Sequence, residues 1–322
     1  MLGIVILNYK SWNLVVDCIN SIENTCKLTE YHIYIVDNGS KNESLEKFYE
    51  FYGDNSKYTI IDAVFNKGFA FGNNVGAKRA IKDGCDKLLI TNSDILFLDH
   101  TIDNLYTILN KSDDTNYQFK TPFLVYPVVY NIDKTLQLKE CFVGKRDRFY
   151  DIILNNNVLS KLVPKGVFYK YFCDIENLLK NKNSERDNNN VVKTNMFFGC
   201  CFAVDSKKFE EIGMLDEETF LYYEENVLST KALKKDYDMV LSLDSSVIHL
   251  QGASSDKSKT KWFEYVSKVY YLRRYKKVSK TFIKFDLMIN EIFSFLKCRN
   301  VNEIKNNKAN IKNAKGKIKK YL

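Results

Sequence analysis

The sequence of 322 residues lacks the cysteine spacing of a metal module or a disulfide framework. Its eight cysteines stand at positions 18, 26, 85, 141, 173, 200, 201 and 298, and none forms a Cys-x-x-Cys pair. Most of them lie in apolar or helical runs, whereas zinc modules and small secreted domains need closely spaced cysteines. The pattern argues against a cysteine zinc site and favours a reducing compartment, so we expect a cytoplasmic protein.

Long apolar runs are also absent, and we expect no signal peptide. No run reaches the roughly 18 residues that a membrane-spanning helix needs. Met1 leads directly into the apolar stretch 2–7, which predicts a strand rather than a signal peptide. Hydrophobic residues still make up 45% of the chain, and together with its length this fits one large α/β domain with an appendage.

The net charge of +8 is unevenly distributed. From Lys257 to Leu322 there are 19 Lys and Arg against 4 Asp and Glu, whereas residues 1–256 carry 29 basic and 36 acidic residues. The chain thus combines a mildly acidic body with a strongly basic tail. The tail has no module of interleaved basic and aromatic residues, so we expect no specific nucleic-acid binding.

Strand and helix signals alternate four times in the first 94 residues. Short aliphatic runs at 2–7, 32–36, 58–61 and 88–91 predict strands, and apolar residues at helical spacing follow the first three. This alternation predicts a parallel sheet with helices on both faces. Further along, we predict strands at 123–130, 196–204, 239–243 and 246–248.

Polar segments follow several of these strands. The fourth strand ends in Asn92-Ser93-Asp94, and a carboxylate at the carboxyl end of a buried strand has the usual location of a ligand site in an open α/β sheet. Such oxygen ligands suit Mg²⁺ or Mn²⁺ that bridges phosphates, although Asp94 alone could also cap a turn. The Gly- and Asn-rich loop 66–74 precedes a helix and can offer backbone N–H groups to phosphate, or be an ordinary connection.

Two candidate positions lie in the second half of the chain. Glu224 and Glu225 begin a predicted helix after an aromatic run, a place where the helix dipole also favours carboxylates. Neighbours on a helix point about 100° apart, so only one of the two can face a given hydroxyl. His249, one of three histidines, follows a predicted strand, and a lone histidine is either structural or a ligand.

Together these segments resemble the inverting GT-A glycosyltransferases of family 2, and within them a rhamnosyltransferase-like bacterial group. The resemblance extends from Met1 to about Tyr275. It depends on the order of seven short motifs: Val5-Ile6-Leu7-Asn8-Tyr9, Val36-Asp37-Asn38-Gly39-Ser40, the loop 66–74, Thr91-Asn92-Ser93-Asp94, Gly213-Met214-Leu215-Asp216-Glu217, Phe220-Leu221-Tyr222-Tyr223-Glu224-Glu225 and Ile248-His249. It implies a Rossmann-like nucleotide-binding mixed sheet, flanked by helices, over residues 1–275. A helical, Lys-rich C-terminal extension would occupy residues 276–322.

The resemblance also implies roles for individual residues. Asp94 would bind the metal ion, with Asn92 in place of the first acid of the family's Asp-x-Asp-like element, and His249 would be a further metal ligand or diphosphate contact. Glu225 stands where the family usually has Asp as the catalytic base, and Glu224 is the second choice. The residues implied to contact the nucleotide sugar are Asn8, Asp37, Asn66, Gly68, Asn74, Asn92 and Asp94.

The implied reaction is the metal-assisted, inverting transfer of a sugar to a hydroxyl of a surface-glycan acceptor, which is free or lipid-linked. The implied donor is dTDP-rhamnose, with UDP-linked hexoses or galactofuranose as alternatives, and the implied cofactor is Mg²⁺ or Mn²⁺. A sugar-phosphate nucleotidylyltransferase is a less favoured alternative. It would need a Gly-rich, basic loop after the first strand, where this chain reads Asn8-Tyr9-Lys10-Ser11-Trp12.

The basic extension is predicted to contain a helix with an apolar face. The apolar residues are Phe282, Ile283, Phe285, Leu287, Met288, Ile289, Ile292, Phe293 and Leu296, and Lys-rich sequence follows to Leu322. Such a segment predicts peripheral contact with an anionic membrane, at the inner face of the cell membrane. The alternatives are packing on its own catalytic domain or on the second subunit of a homodimer.

Overall fold

The computed structural model describes residues 1–110, 122–144, 171–181, 190–250, 257–296, 298 and 300–322. Its strands are β1 (Leu2–Asn8), β2 (Tyr31–Asp37), β3 (Tyr58–Asp62), β4 (Lys87–Asn92), β5 (Ile95–Phe97), β6 (Leu124–Tyr130), β7 (Glu140–Phe142), β8 (Phe172–Asp174), β9 (Val191–Thr194), β10 (Cys201–Asp205) and β11 (Met239–His249). Its helices are α1 (Trp12–Thr25), α2 (Ser44–Tyr52), α3 (Phe69–Lys82), α4 (Thr101–Asn110), α5 (Ile175–Lys180), α6 (Ser206–Glu211), α7 (Glu224–Lys234), α8 (Lys257–Arg274), α9 (Lys280–Leu296) and α10 (Val301–Ile318), followed by a 3-10 turn at Lys319–Tyr321.

A nine-stranded mixed sheet forms the centre of the fold. Its order is β3-β2-β1-β4-β10-β6-β11-β5, with β9 paired to β11, and β7 and β8 form a separate antiparallel pair. The strands β1 to β4 are mutually parallel, whereas β10 runs antiparallel to both of its neighbours. The predicted α/β fold, with a mixed sheet between helices and helices at the C-terminus, is confirmed.

Both faces of the sheet are buried, because each carries a layer of helices. Val5 and Val36 face the layer that contains α3, whereas Ile4 and Ile6 pack with the buried side chains of α1. Continuous apolar strands are the expected sequence of a sheet covered on both sides. Helix α3 lies close to the strands because Gly76 has no side chain: a Cβ atom there would lie 2.5 Å from Val5 Cγ1. This contact holds the loop before α3 at the carboxyl edge of the sheet.

Two local predictions are wrong. The predicted strand 196–204 begins only at Cys201, so residues 195–200 form an irregular apolar segment instead. The strands predicted at 239–243 and 246–248 are one strand, β11, whose pairing with β6 shifts register between Ser242 and Ser246. In both places a local apolar pattern indicated strand but could not indicate where pairing with a neighbour begins or slips.

The C-terminal helices share an apolar cluster with the body. Tyr223 and Val227 belong to this cluster with Val269 of α8, Ile283 of α9 and Ile311 of α10. The extension therefore packs on the helices next to the predicted site, while its boundary at residue 275 stays a prediction. Among the helices of the described ranges, none has the length and apolar content needed to cross a membrane.

Candidate active site

Three polar residues meet at the carboxyl edge of the parallel strands. Asn8 at the end of β1 is paired in register with Asp37 at the end of β2, and Leu7 is paired with Asn92 at the end of β4. Because parallel strands end at the same edge, residues that are far apart in sequence converge there. This edge is the location predicted for the nucleotide site.

Asn8 and Asp37 form a buried hydrogen-bond network with Ser40. Asn8 Nδ2 donates to Asp37 Oδ1 at 2.6 Å, and Ser40 Oγ donates to the same oxygen at 2.5 Å. The backbone N–H of Ser40 donates to Asp37 Oδ2 at 2.9 Å, so both carboxylate oxygens accept bonds from the protein. The network fixes the turns after β1 and β2, and the predicted nucleotide contacts of Asn8 and Asp37 stay predictions.

The loop before α3 is clamped on two sides. Asn38 Nδ2 donates to the Gly68 carbonyl at 3.1 Å and to Asn66 Oδ1 at 3.3 Å. On the other side, the Phe69 N–H donates to the Phe220 carbonyl at 2.8 Å. Gly68 has φ +106°, and a Cβ atom there would lie 2.4 Å from the Phe220 carbonyl oxygen. Only glycine combines this positive φ with the absence of a Cβ atom. The close contact at Gly68 and the hydrogen bond of Phe69 connect this loop directly to the aromatic run before Glu224.

The side chain of Asn74 forms its hydrogen bonds with residues 215 and 217, and not with the loop before α3. Its Nδ2 donates to the Leu215 carbonyl and to Glu217 Oε1, both at 2.9 Å, and its Oδ1 accepts from the Leu215 N–H at 3.2 Å. The side chain is 3% exposed. Asn74 therefore connects α3 to the segment around Leu215, and a contact of its amide with the diphosphate would require these bonds to open.

Asp94 and His249 lie side by side where β5 meets β11. Nε2 of His249 is 3.2 Å from Asp94 Oδ1, and Nδ1 of His249 is 2.9 Å from Gln137 Oε1. An amide oxygen can only accept, so Nδ1–H is the donor to Gln137 and Nε2 is the ring nitrogen that faces the Asp94 carboxylate. A proton on Nε2, or a cation between Nε2 and Oδ1, would join the two groups, and a hydrogen bond from the other ring nitrogen orients metal-binding histidines.

The residues at this edge fit a divalent ion that keeps other ligands. In the described ranges, no three His, Cys, Asp or Glu side chains converge as a metal site. Asp94 and His249 would therefore supply two ligands and leave the remaining positions to water and phosphate oxygens, as Mg²⁺ commonly requires. The neighbouring Asn92 Oδ1 is buried and has no hydrogen-bond partner, which is a costly arrangement without a ligand.

Glu224 and Glu225 differ sharply in environment. Tyr222 and Tyr223 both have left-handed backbone conformations, with φ of 67° and 72°, and α7 begins directly after them. Glu224 is 4% exposed and its Oε1 has no hydrogen-bond partner. Burial, and secondarily the charge of Glu225, raises the pKa of Glu224 to about 8. Glu225 is more accessible, and its Oε2 would lie 3.5 Å from a Cβ atom on Gly199.

The segment 199–200 lies beside both groups of candidate residues: the Asn92 N–H donates to the Cys200 carbonyl at 2.8 Å, and a Cβ atom on Gly199 would lie 3.5 Å from Glu225 Oε2. Burial raises the pKa of the Cys200 thiol, and the charges of Cys201, Asp94 and Glu225 raise it further. The irregular segment before β10, predicted as strand, therefore brings Gly199 next to Glu225 and Cys200 next to Asn92.

Two contributors were missed by sequence reasoning. Gln137, which orients His249, lies in a segment without period or motif. Phe220 holds the loop before α3 through its carbonyl, a backbone contact that no side-chain pattern reports. The aromatic run is visible in the sequence, but only as the segment that precedes Glu224.

Comparisons with known proteins agree with this architecture. The model of the family "Glycosyl transferase family 2" matches residues 3–213. The low-salt glycan biosynthesis hexosyltransferase Agl10 of Haloferax volcanii is 22% identical over 266 residues, which cover 82% of this chain and 72% of that protein.

Solved structures share the fold at low sequence identity. GalNAc-T7 with UDP, GalNAc and Mn²⁺ has a TM-score of 0.57 at 14% identity, with 85% of this chain and 47% of that chain covered. The mannosyltransferase PcManGT of Pyrobaculum calidifontis, in complex with GDP-Man and Mn²⁺, has a TM-score of 0.53 at 11% identity, with 98% and 86% covered. S. aureus TarS 1–349 in complex with UDP has a TM-score of 0.52 at 12% identity, with 100% and 80% covered. Because the family match spans more than half of the sequence and the fold is that of GT-A enzymes, the protein belongs to glycosyl transferase family 2.

Proposed function

We propose that this glycosyltransferase moves a sugar from a nucleoside-diphosphate sugar to an acceptor hydroxyl, with inversion at the anomeric carbon. The observation that carries the proposal is that the segment 199–200 lies beside both groups, the strand end that leads to Asp94 and the Glu225 carboxylate, at the carboxyl edge of the sheet. The Cys200 carbonyl accepts from the N–H of Asn92, two residues before Asp94, and a Cβ atom on Gly199 would lie 3.5 Å from Glu225 Oε2. One group can hold the leaving diphosphate and the other can accept the proton of the attacking hydroxyl. That division of labour is what a single displacement requires.

The donor would lie across the ends of β1, β2 and β4. The turn held by Asn8 and Asp37 would receive the nucleoside, and the clamped loop at Asn66 and Gly68 would face the diphosphate. Asp94 and His249 would hold Mg²⁺ or Mn²⁺, which supplies positive charge to the departing diphosphate. GalNAc-T7 and PcManGT, whose structures contain Mn²⁺ with UDP or GDP-Man, support this assignment.

Glu225 would be the base. As the acceptor oxygen forms its bond to the anomeric carbon, the Glu225 carboxylate takes the hydroxyl proton, and the bond from that carbon to the diphosphate breaks. Glu224 is a poor base at neutral pH because burial keeps it largely protonated, with a pKa of about 8. Its protonated carboxyl group would instead position the acceptor side of the pocket.

For the donor we propose dTDP-rhamnose, with a UDP-linked hexose or galactofuranose as the second candidate. The hexosyltransferase Agl10 and the mannosyltransferase PcManGT support a hexose-sized sugar. For the acceptor we propose a growing lipid-linked surface glycan, a choice that the glycan biosynthesis role in the name of Agl10 supports.

The test is a thermal-shift screen of the wild type against UDP, dTDP and GDP, each with Mn²⁺ or with EDTA. We expect one of the three nucleotides to raise the thermal unfolding midpoint when Mn²⁺ is present and not when EDTA is present. Asp94→Asn should remove that shift and abolish nucleotide release from the matching sugar donor, whereas the exposed Asp99→Asn should leave both unchanged. Full turnover in excess EDTA, or in Asp94→Asn, would overturn the metal assignment.

A further inference from the structure

Helix α9 turns its apolar side away from the protein. Phe285, Met288, Ile292 and Leu296 follow one another at intervals of three or four residues and therefore share one face of the helix. Their exposed fractions are 53%, 51%, 51% and 74%. Phe293 and Phe295 are exposed beside them, so six large apolar side chains form one continuous surface. Patches of this kind mark interaction sites.

The opposite face of α9 is buried and largely polar. Asp286, Asn290 and Ser294 are at most 6% exposed. Asp286 Oδ2 accepts from Lys268 Nζ at 2.8 Å and from the Tyr265 hydroxyl at 2.9 Å, both on α8. Rotating α9 to bury its apolar side would break this ion pair inside the protein, where unpaired charges are very costly. The exposure of the apolar face is therefore fixed by the packing.

Basic side chains run along the next helix. Lys305, Lys308, Lys312 and Lys315 are spaced by three or four residues on α10, and all four are exposed. Lys315 Nζ is 3.0 Å from Glu291 Oε2 of α9. Glu291 is within one helical turn of both Met288 and Phe295, so the row of lysines lies beside the apolar face.

The acids of this region do not balance the lysines. Between Lys276 and Leu322 there are 13 Lys and Arg against 3 Asp and Glu. Asp286 is buried in its pair with Lys268, and Glu291 is paired with Lys315. Glu303 accepts from Asn300 Nδ2 at the start of α10. The apolar face therefore has a positively charged border.

We propose that the apolar face of α9 and the lysine row of α10 form a docking surface for an anionic membrane. The apolar side chains would enter the boundary between headgroups and acyl chains, and the lysines would contact the headgroup phosphates. A second copy of the chain fits less well, because a two-fold dimer brings the same surface of each copy together and would set lysines against lysines. This inference is independent of the proposed reaction.

Membrane contact would bring lipid-linked material close to the site. Ile283 and Leu287 of α9 share an apolar cluster with Tyr223, which directly precedes Glu224. The buried side of α9 and the residue before Glu224 thus belong to one apolar cluster.

The experiment is co-sedimentation of the full chain with phosphatidylcholine vesicles that contain or lack phosphatidylglycerol, at low and high salt. We expect binding only to the anionic vesicles, and weaker binding at high salt. Met288→Gln with Ile292→Gln, and separately Lys308→Gln with Lys312→Gln, should each lower binding about tenfold or more. All four side chains are exposed, so the variants should fold, which circular dichroism would verify.

Matched controls change residues of the same type elsewhere. Leu28→Gln with Ile132→Gln, and Lys82→Gln with Lys207→Gln, alter exposed side chains far from α9 in the sequence and should leave vesicle binding unchanged. Equal losses in control and test variants would overturn the proposal, as would equal binding to neutral vesicles. It would also be overturned by a dimer in sedimentation velocity that Met288→Gln with Ile292→Gln dissociates while no vesicle binding is seen.

Discussion

His249 Nε2 lies 3.2 Å from Asp94 Oδ1, and the opposite ring nitrogen of His249 is held by Gln137. This arrangement places a ring nitrogen and a carboxylate oxygen side by side, and both are proposed ligands of the divalent ion. We assign Gln137 only the positioning of His249, so its contribution can be measured through the metal dependence.

Gln137→Leu should weaken the apparent affinity for Mn²⁺ by about 10- to 100-fold, the scale of losing a hydrogen bond that orients a metal ligand. The measurement is the Mn²⁺ dependence of donor turnover, together with a Mn²⁺ titration followed by thermal shift. Because Gln137 only positions His249, saturating Mn²⁺ should restore most of kcat. An unchanged Mn²⁺ midpoint would contradict the role given to Gln137.

Glu225→Gln should reduce transfer by about 100-fold or more, because it removes the base while keeping size and hydrogen bonding. Donor affinity should be nearly unchanged, and Glu225→Asp should keep much of the activity if the pocket absorbs the lost methylene. The exposed Glu210→Gln is the matched control. If Glu224→Gln is inactive and Glu225→Gln is not, the base is Glu224. If both variants remain active, the inverting mechanism proposed for this chain is wrong.

Glu224 should make stability depend on pH. Its pKa rises from the usual 4.5 to about 8 in the folded protein, so folding binds a proton between these values. The contribution of Glu224 to the free energy of unfolding is therefore constant below about pH 4.5. It becomes steadily less favourable as the pH rises from 4.5 to 8, and it is constant again above 8. Glu224→Gln should remove this dependence. The difference in thermal midpoint between Glu224→Gln and wild type should grow from pH 5 to pH 9, and a constant difference would contradict the assigned pKa.

Gly68→Ala should destabilise the protein more than Gly84→Ala. Both glycines have positive φ, +106° and +90°, and alanine in that region costs roughly 1–2 kcal/mol. A Cβ atom at Gly84 meets nothing within 4 Å, whereas at Gly68 it would overlap the Phe220 carbonyl. Urea unfolding measures the difference, and only Gly68→Ala should raise KM for the donor. If Gly68→Ala and Gly84→Ala changed the free energy of unfolding and KM equally, the contact between Gly68 and Phe220 would be unimportant.

Asp286→Ala should loosen α9. Removing one partner of a buried ion pair leaves the other uncompensated and typically costs about 3–5 kcal/mol. Limited proteolysis should then cut within 280–296. As a control, Glu50→Ala removes one partner of the exposed Lys47–Glu50 ion pair and should leave the cleavage pattern unchanged. The double variant Lys268→Met with Asp286→Leu should recover stability, because no unpaired charge remains. A fully resistant Asp286→Ala would contradict the anchoring role of this pair.

The sheet edge could be predicted from sequence because its signals are local. Aliphatic runs ending at Asn8, Asp37 and Asn92 report their own strand ends, and a parallel sheet brings those ends together. The bonds of Asn74 to Leu215 and of Gln137 to His249 span 141 and 112 residues, and nothing in either segment announces its partner. The apolar pattern of α9 was visible, but the buried Asp286–Lys268 pair decides which face points outward.

The hydrogen bond from Phe69 to Phe220 would couple the proposed donor site to the proposed acceptor site. It joins the loop proposed to face the diphosphate to the run that leads into Glu224 and Glu225. Lys317 of α10 lies over the Phe220 ring at 5.5 Å, so the C-terminal extension touches the same junction. If donor binding tightens this junction and so raises the affinity for the acceptor, then acceptor binding must raise the affinity for the donor by the same factor. We therefore expect membrane binding to change the affinity of the protein for its nucleotide-sugar donor.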